Sequence, residues 1–137
     1  MRFIDTNILI YSVGMHPEEA SKSRIARKLL YAPDLALSVQ VLQEFYTSVT
    51  RVNRRGRFEH EEAVVAIRAL KRYPVQPMTL PILDAALETN ERFQISYWDA
   101  AIIEAARALG CEVVLSEDLQ YGQDFNGVRV VDPFREK

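Results

Sequence analysis

The feature that most constrains this chain is its alternation of short apolar runs with longer stretches of helical spacing. Residues 2–5 read as a strand. HPEEASKSRIARKLLYA (16–32) reads as a helix, with Pro17 in its first turn and acids leading. DLALS (34–38) is a short strand, and Ser38 then reads as the N-cap of a helix reaching about Arg51. NRRGR (53–57) breaks that helix, and a further helix covers 59–72. VQPM (75–78) is a short strand whose prolines place it near an edge or a strand end. Residues 81–93 are helical. Ser96 caps one more helix, which Gly110 ends from the C′ position. EVVLS (112–116) and GVRVVDP (127–133) are the last strands. Strands separated by helices predict an α/β fold. Its mostly parallel central sheet, of about four to five strands, is covered on both faces to give three α/β/α layers. Ligands in such folds bind beyond the carboxyl ends of the strands.

A length of 137 residues suits a single domain, 1–137, that buries roughly two-thirds of the unfolded chain's surface. With 48% hydrophobic and 26% charged residues, the chain falls among globular sequences and not disordered ones. No apolar run approaches the ~20 residues of a membrane span, and the first residues lack the order of a secretory signal. Cys111 is the only cysteine, which excludes a disulfide framework and a cysteine zinc site. Together these predict a soluble cytoplasmic protein without membrane contact. The net charge of −2, from 17 basic and 19 acidic residues, argues against a nucleic-acid surface unless some of the acids carry metal.

Several acids fall in unusual places. Asp5 follows the apolar residues of the first strand, and Ser116, Glu117 and Asp118 follow VVL at the end of a later one. In a parallel sheet these two ends share one rim. A carboxylate buried there costs several kcal/mol unless something pairs with it. Asp99, in SYWDAAIIEAARALG, shares a helix face with Ile102, Ile103 and Ala106 at spacings of three, four and seven. A first-turn acid on the apolar face points toward the core or a cleft, and it also fits a capping box with Ser96. Glu44, in SVQVLQEFYTSVTR, lies roughly 110° from the centre of the apolar face set by Val41, Leu42, Phe45, Val49 and Val52. Alone it reads as a solvated neighbour of the core. Acids converging on one cleft raise each other's pKa and destabilise the fold, and a divalent cation removes that repulsion. Carboxylates without histidine or cysteine suit oxygen-preferring ions, chiefly Mg2+ or Mn2+.

FIDTNILIY, the glutamate of VLQEFY, SYWDAAIIEAA and LSEDL together resemble the PIN-domain ribonucleases, above all the VapC-type toxins of bacterial and archaeal toxin–antitoxin pairs. Length, motif order and spacing match over essentially the whole chain. The resemblance implies a PIN fold and a Mg2+- or Mn2+-dependent endoribonuclease with a cognate antitoxin as partner. It assigns Asp5, Glu44, Asp99 and Asp118 to the acidic quartet that carries catalysis and the metal. Thr6, Asn7, Ser116 and Glu117 would be polar support. The family usually has threonine two residues before its last acid, and Ser116 keeps that hydroxyl. This register prefers Asp118 to the adjacent Glu117. In such chemistry one metal ion lowers the pKa of the attacking water, and a second, roughly 3.5–4 Å away, stabilises the leaving 3′ oxygen. Asp5 and Asp99 are the candidates for central ligands, and Glu44 binds metal or orients the water.

Setting the quartet aside leaves 15 acids against 17 bases, a mildly basic remainder. Arg51, Arg54, Arg55 and Arg57 form its densest cluster, and guanidinium forks suit the phosphates of RNA. The broad apolar faces of the 17–31 and 38–52 helices suit a homodimer surface or a groove for an antitoxin helix. His16 and His60 stand at helix starts without partners at metal spacing. Cys111 reads as inert packing and Trp98 as core or interface packing, while Tyr46, Tyr73, Tyr97 and Tyr121 read as closing buried layers. Two other functions compete. An aspartate-based phosphotransfer enzyme also begins with an apolar strand ending in Asp. However, Asn7 stands where the haloacid-dehalogenase type has its second Asp, and the paired early acids and late lysine of a receiver domain are missing. A catalytically silent PIN-like module that binds RNA or protein would be favoured by loss of an acid, and all four are present.

Overall fold

β1 (Arg2–Ile4) ends in Phe3 and Ile4, both fully buried, because helices cover the sheet on its two faces. The computed structural model describes residues 1–135. β1 lies at the centre of a five-stranded sheet with β2 (Leu35–Ser38), β3 (Val75–Gln76), β4 (Val113–Leu115) and β5 (Arg129–Val131). The strand order is β3-β2-β1-β4-β5, and every pairing between these strands is parallel. Phe3 registers with Ala36 on one side and Val114 on the other. The proline-flanked β3 occupies an edge, as expected, where a missing N–H donor costs no ladder bond.

The helices are α1 (Thr6–Ser12), α2 (Ala20–Leu29), α3 (Val39–Val49), α4 (His60–Leu70), α5 (Leu80–Phe93) and α6 (Tyr97–Ala108). α1 packs on α2 and α3, α3 packs on α4, and α5 packs on α6, which lies against β2, β3 and β4. From β1 to β3 the chain moves outward on one side of the sheet, then crosses back over β1 to β4. Right-handed crossovers therefore place α1 to α4 on one face and α5 and α6 on the other, making three layers. The core joins Phe3, Ile4, Leu37 and Val114 of the sheet to Leu9, Val41, Phe45, Ile102 and Ile103 of the helices. Burying each such side chain is worth roughly 1.5–3 kcal/mol. Among the described residues no helix is long and apolar enough to cross a membrane.

Three elements differ from expectation. α1 has no counterpart in the sequence reading. Asp5 leaves the strand to become the N-cap of this seven-residue helix, its carboxylate accepting from the Thr6 N–H. The 16–32 helix begins as a 3-10 turn, Pro17–Glu19, with His16 Nδ1 accepting from the Glu18 N–H, before α2 starts. α3 stops at Val49, so Val52 is exposed in the following loop and not on the apolar face. Gly110 has φ +80° after α6, the left-handed C′ conformation that its position predicts.

Because the chain turns back across the sheet at β1, the switch in winding falls between β1 and β4. A crevice opens outside the carboxyl ends of strands at such a point. Asp5 follows β1 and Ser116 follows β4 at this rim.

Candidate active site

Asp5 is buried, and three neighbours hold its carboxylate. The Thr6 N–H donates to Oδ1 at 2.7 Å, and the Ser116 hydroxyl donates to Oδ2 at 2.8 Å. Asn7 Nδ2 stands 3.5 Å from the same Oδ2 and 3.3 Å from Ser116 Oγ, while Asn7 Oδ1 accepts from the Glu117 N–H at 3.2 Å. Ser116 Oγ also accepts from the N–H groups of Asp118 and Leu119, at 3.1 and 3.3 Å. This fully buried hydroxyl thereby ties the end of β1 to the turn after β4.

Thr6 links a second acid. Its hydroxyl donates to Glu44 Oε1 at 2.5 Å, while Gln40 Nε2 donates to Glu44 Oε2 at 3.0 Å. The same Gln40 amide donates to the Trp98 carbonyl at 3.2 Å, joining α3 to the start of α6. Asp99 follows there, half-buried, with its N–H donating to Ser96 Oγ at 3.0 Å. Among the described residues its carboxylate makes no return bond to the Ser96 N–H, so the capping box is half-formed and the acid stays available.

The electrostatics show that these acids act on one another. Burial pushes the Asp5 carboxyl up to about 6; the bonds from Ser116 and Thr6 oppose this, and the charges of Glu44 and Asp118 add to it. Burial also raises Asp99, with Asp118 and Glu44 again adding to the effect and Ser96 opposing it. None of the leading influences on either acid is a basic side chain. Asp5 and Asp99 thus each feel the charges of Glu44 and Asp118, with no basic side chain among the leading influences to offset them. Among the described residues no three His, Cys, Asp or Glu side chains converge tightly enough to enclose an ion. Carboxylate oxygens are the donors that Mg2+ and Mn2+ prefer, so an ion here would rest on one or two of them and on water.

Glu117 turns elsewhere. Its carboxylate accepts from the Tyr11 hydroxyl at 2.6 Å and pairs with Lys22. Burial pushes Glu117 up, but the bonds from Lys22 and Tyr11 outweigh it and hold the carboxyl below its ordinary value. Asp118 is exposed, and of these two neighbouring acids it is Asp118, with Glu44 from α3, whose charge acts on Asp5 and Asp99.

Arg51, Arg54, Arg55 and Arg57 follow the far end of α3, which closes at Val49, roughly 8 Å along the helix axis from Glu44. The Arg54 guanidinium donates to the Arg55 and Gly56 carbonyls, and that of Arg57 to the Thr50 carbonyl at 2.9 Å. Two of the four brace their own loop, and Arg51 and Arg55 are exposed. Gln40 is the site residue that sequence reasoning missed. Its signal was present as a glutamine four residues before Glu44 on one helix, where side chains meet. Trp98 was expected in core or interface packing, and its 62% exposure removes the core alternative alone. Tyr73 and Cys111 are buried as expected, whereas Tyr121 is exposed and closes no layer.

A family model described as the PIN domain matches residues 2–123, a span that contains all four acids. Solved structures of similar fold include three toxin or toxin-antitoxin proteins. A toxin-antitoxin complex from Klebsiella pneumoniae is 19% identical, covers 99% of this chain and 100% of that one, and has a TM-score of 0.72. Mycobacterium tuberculosis VapC20, described as a sarcin-ricin loop cleaving toxin, is 22% identical over 86% of this chain and 90% of its own, with a TM-score of 0.66. Rickettsia felis VapBC2, bound to a DNA fragment from its promoter, is 17% identical over 94% and 96%, with a TM-score of 0.65. No protein of curated function matches the sequence.

Proposed function

This chain belongs to the PIN-domain family, and from that premise we propose that it is a Mg2+- or Mn2+-dependent endoribonuclease, the toxin of a toxin–antitoxin pair. One observation carries the reading. Asp5, buried at the end of the central strand, is pushed up to about 6, and Glu44 and Asp118 add to the effect of its burial. A cation in the cleft is what makes such a set of acids favourable at neutral pH. The similar structures support the rest: toxin-antitoxin complexes favour an antitoxin partner, and the sarcin-ricin loop cleaving toxin favours RNA as substrate. A cytoplasmic homodimer is part of the same proposal.

Asp5 and Asp99 would hold the ion, with Asp118 and Glu44 completing the anionic cleft. When bound, the ion supplies positive charge at the scissile phosphate and acidifies the attacking water. The chain's own residues set the geometry. Ser116 and Asn7 fix the Asp5 carboxylate, and Thr6 couples it to Glu44. Glu44, whose two oxygens are held by Thr6 and Gln40, would accept a proton from water. Arg51 and Arg55 steer the RNA backbone from the end of α3.

The test is cleavage of structured cellular RNA with Mg2+, Mn2+ or EDTA, beside Asp99→Asn. Metal-dependent cleavage that the variant loses by at least a hundredfold is the expected result. No cleavage in any metal, by folded protein free of inhibitor, would sink the proposal. The silent PIN-like module is the second reading, favoured by the lack, among the described residues, of three acids around one point. Mn2+ separates the two, because a competent site gains thermal stability from the ion and a silent one does not.

A further inference from the structure

We propose that the groove between α3 and the start of α6 is a nucleobase subsite, in which an unpaired base of the RNA stacks on the indole of Trp98 beside the acidic cleft. This rests on the ribonuclease reading above. Trp98 is the chain's only tryptophan, stands one position before Asp99, and is 62% exposed. An indole left in water forgoes the burial that normally retains a tryptophan, so its position calls for another explanation. The residue is nevertheless held in place. Its carbonyl accepts from Gln40, and its ring meets Tyr97 edge-on, with centroids 5.0 Å apart and planes at 78°. Such a contact occupies at most one face of the indole.

The groove has a volume of about 310 Å³ and is lined by Gln40, Gln43, Glu44, Thr47 and Trp98. Glu44 is a wall common to groove and cleft, so a phosphate among the acids brings the neighbouring base to the groove. No lining residue is basic, and Glu44 repels phosphate, so the surface suits a neutral base over the backbone. Gln40 adds a second, independent observation. It is 6% exposed, and its Nε2 is spent on Glu44 and Trp98, which leaves Oε1 buried without a partner among the described residues. That oxygen is shut off from solvent, so Gln40 braces the groove wall through its two Nε2 bonds, and the base is held by the exposed indole and the uncharged walls. A base stacked on an aromatic ring strengthens binding on the order of tenfold to a hundredfold, with little dependence on which base it is.

Because Trp98 is the sole tryptophan, its fluorescence reports this subsite directly. The full chain carrying Asp118→Asn, to slow cleavage, is titrated with an unstructured oligoribonucleotide and with the same backbone bearing abasic riboses. The expected result is saturable quenching by the first and none by the second. Trp98→Ala then weakens binding of a labelled oligoribonucleotide on the order of tenfold or more, with the melting temperature unchanged, and Trp98→Phe restores most of the affinity. Absence of quenching, or unchanged affinity in Trp98→Ala, overturns the subsite. If the wild-type protein still cleaves RNA in that case, the ribonuclease reading stands alone, and if it does not, both fall. A tryptophan blue shift that follows protein concentration and ignores RNA would assign the face to contacts between copies and also overturn the subsite.

Discussion

At the scale of single residues, Asp5 shows how the site is held and what that costs. Its carboxyl lies near 6 in the fold against about 4 in an unfolded chain, so the folded state binds the proton more tightly. The stability this contributes is fully present below about pH 4 and is lost as pH rises through 6. In EDTA, acidifying from pH 7 to 5 should therefore stabilise the protein by about 1 kcal/mol. Asp5→Asn keeps an acceptor for the Thr6 N–H and should flatten most of that slope, with the raised Asp99 retaining the remainder. Denaturant unfolding across this pH range measures both, and a slope unaltered by the substitution would refute the assignment.

Among the elements, the caps were legible and the short helix was not. Ser38 and Ser96 accept from the N–H groups of Val41 and Asp99, as capping serines do. α1 is hidden in the sequence because seven residues span two turns, too few for a helical period to separate from an apolar strand. The end of α3 falls two residues short of its expected place for a related reason: Val52 continues the apolar spacing although the backbone has already left the helix. Gly110 gives a clean test at this scale. A Cβ there meets nothing within 4 Å, so Gly110→Ala costs only the left-handed backbone, about 1 kcal/mol by denaturant unfolding. A neutral effect would mean that α6 ends without this turn.

At the scale of the whole molecule, charge is divided between the cleft and the loop beyond α3. Arg51 and Arg55 are exposed there, while Arg54 and Arg57 bond their own loop. Reversing the first pair to Glu should weaken RNA binding and reduce the slope of log affinity against log salt by about one for each phosphate no longer neutralised. Folding stability should change little, since exposed charges contribute little to it. An unchanged salt slope, measured by anisotropy, would remove this loop from the RNA path. The same prediction applied to Arg54 and Arg57 carries a stability cost, because those side chains also close the loop.

The alternation of strand and helix and the parallel sheet were determined by the chain's own pattern, which also set Asp5 and Asp99 apart, whereas Glu44 and Asp118 joined them only through the resemblance to the PIN-domain family. Periodicity assigns a residue to a face, and a strand's end assigns it to a rim. What lies opposite was decided only by tertiary structure, since the bonds that complete the site join distant positions. Thr6 meets Glu44 across 38 residues, and Asp5 meets Ser116 across 111. The structure turned Glu117 toward Lys22 and Tyr11, made Gln40 a bridge, and left Trp98 in the open. No local spacing encodes those choices, because each depends on how two faces meet after packing.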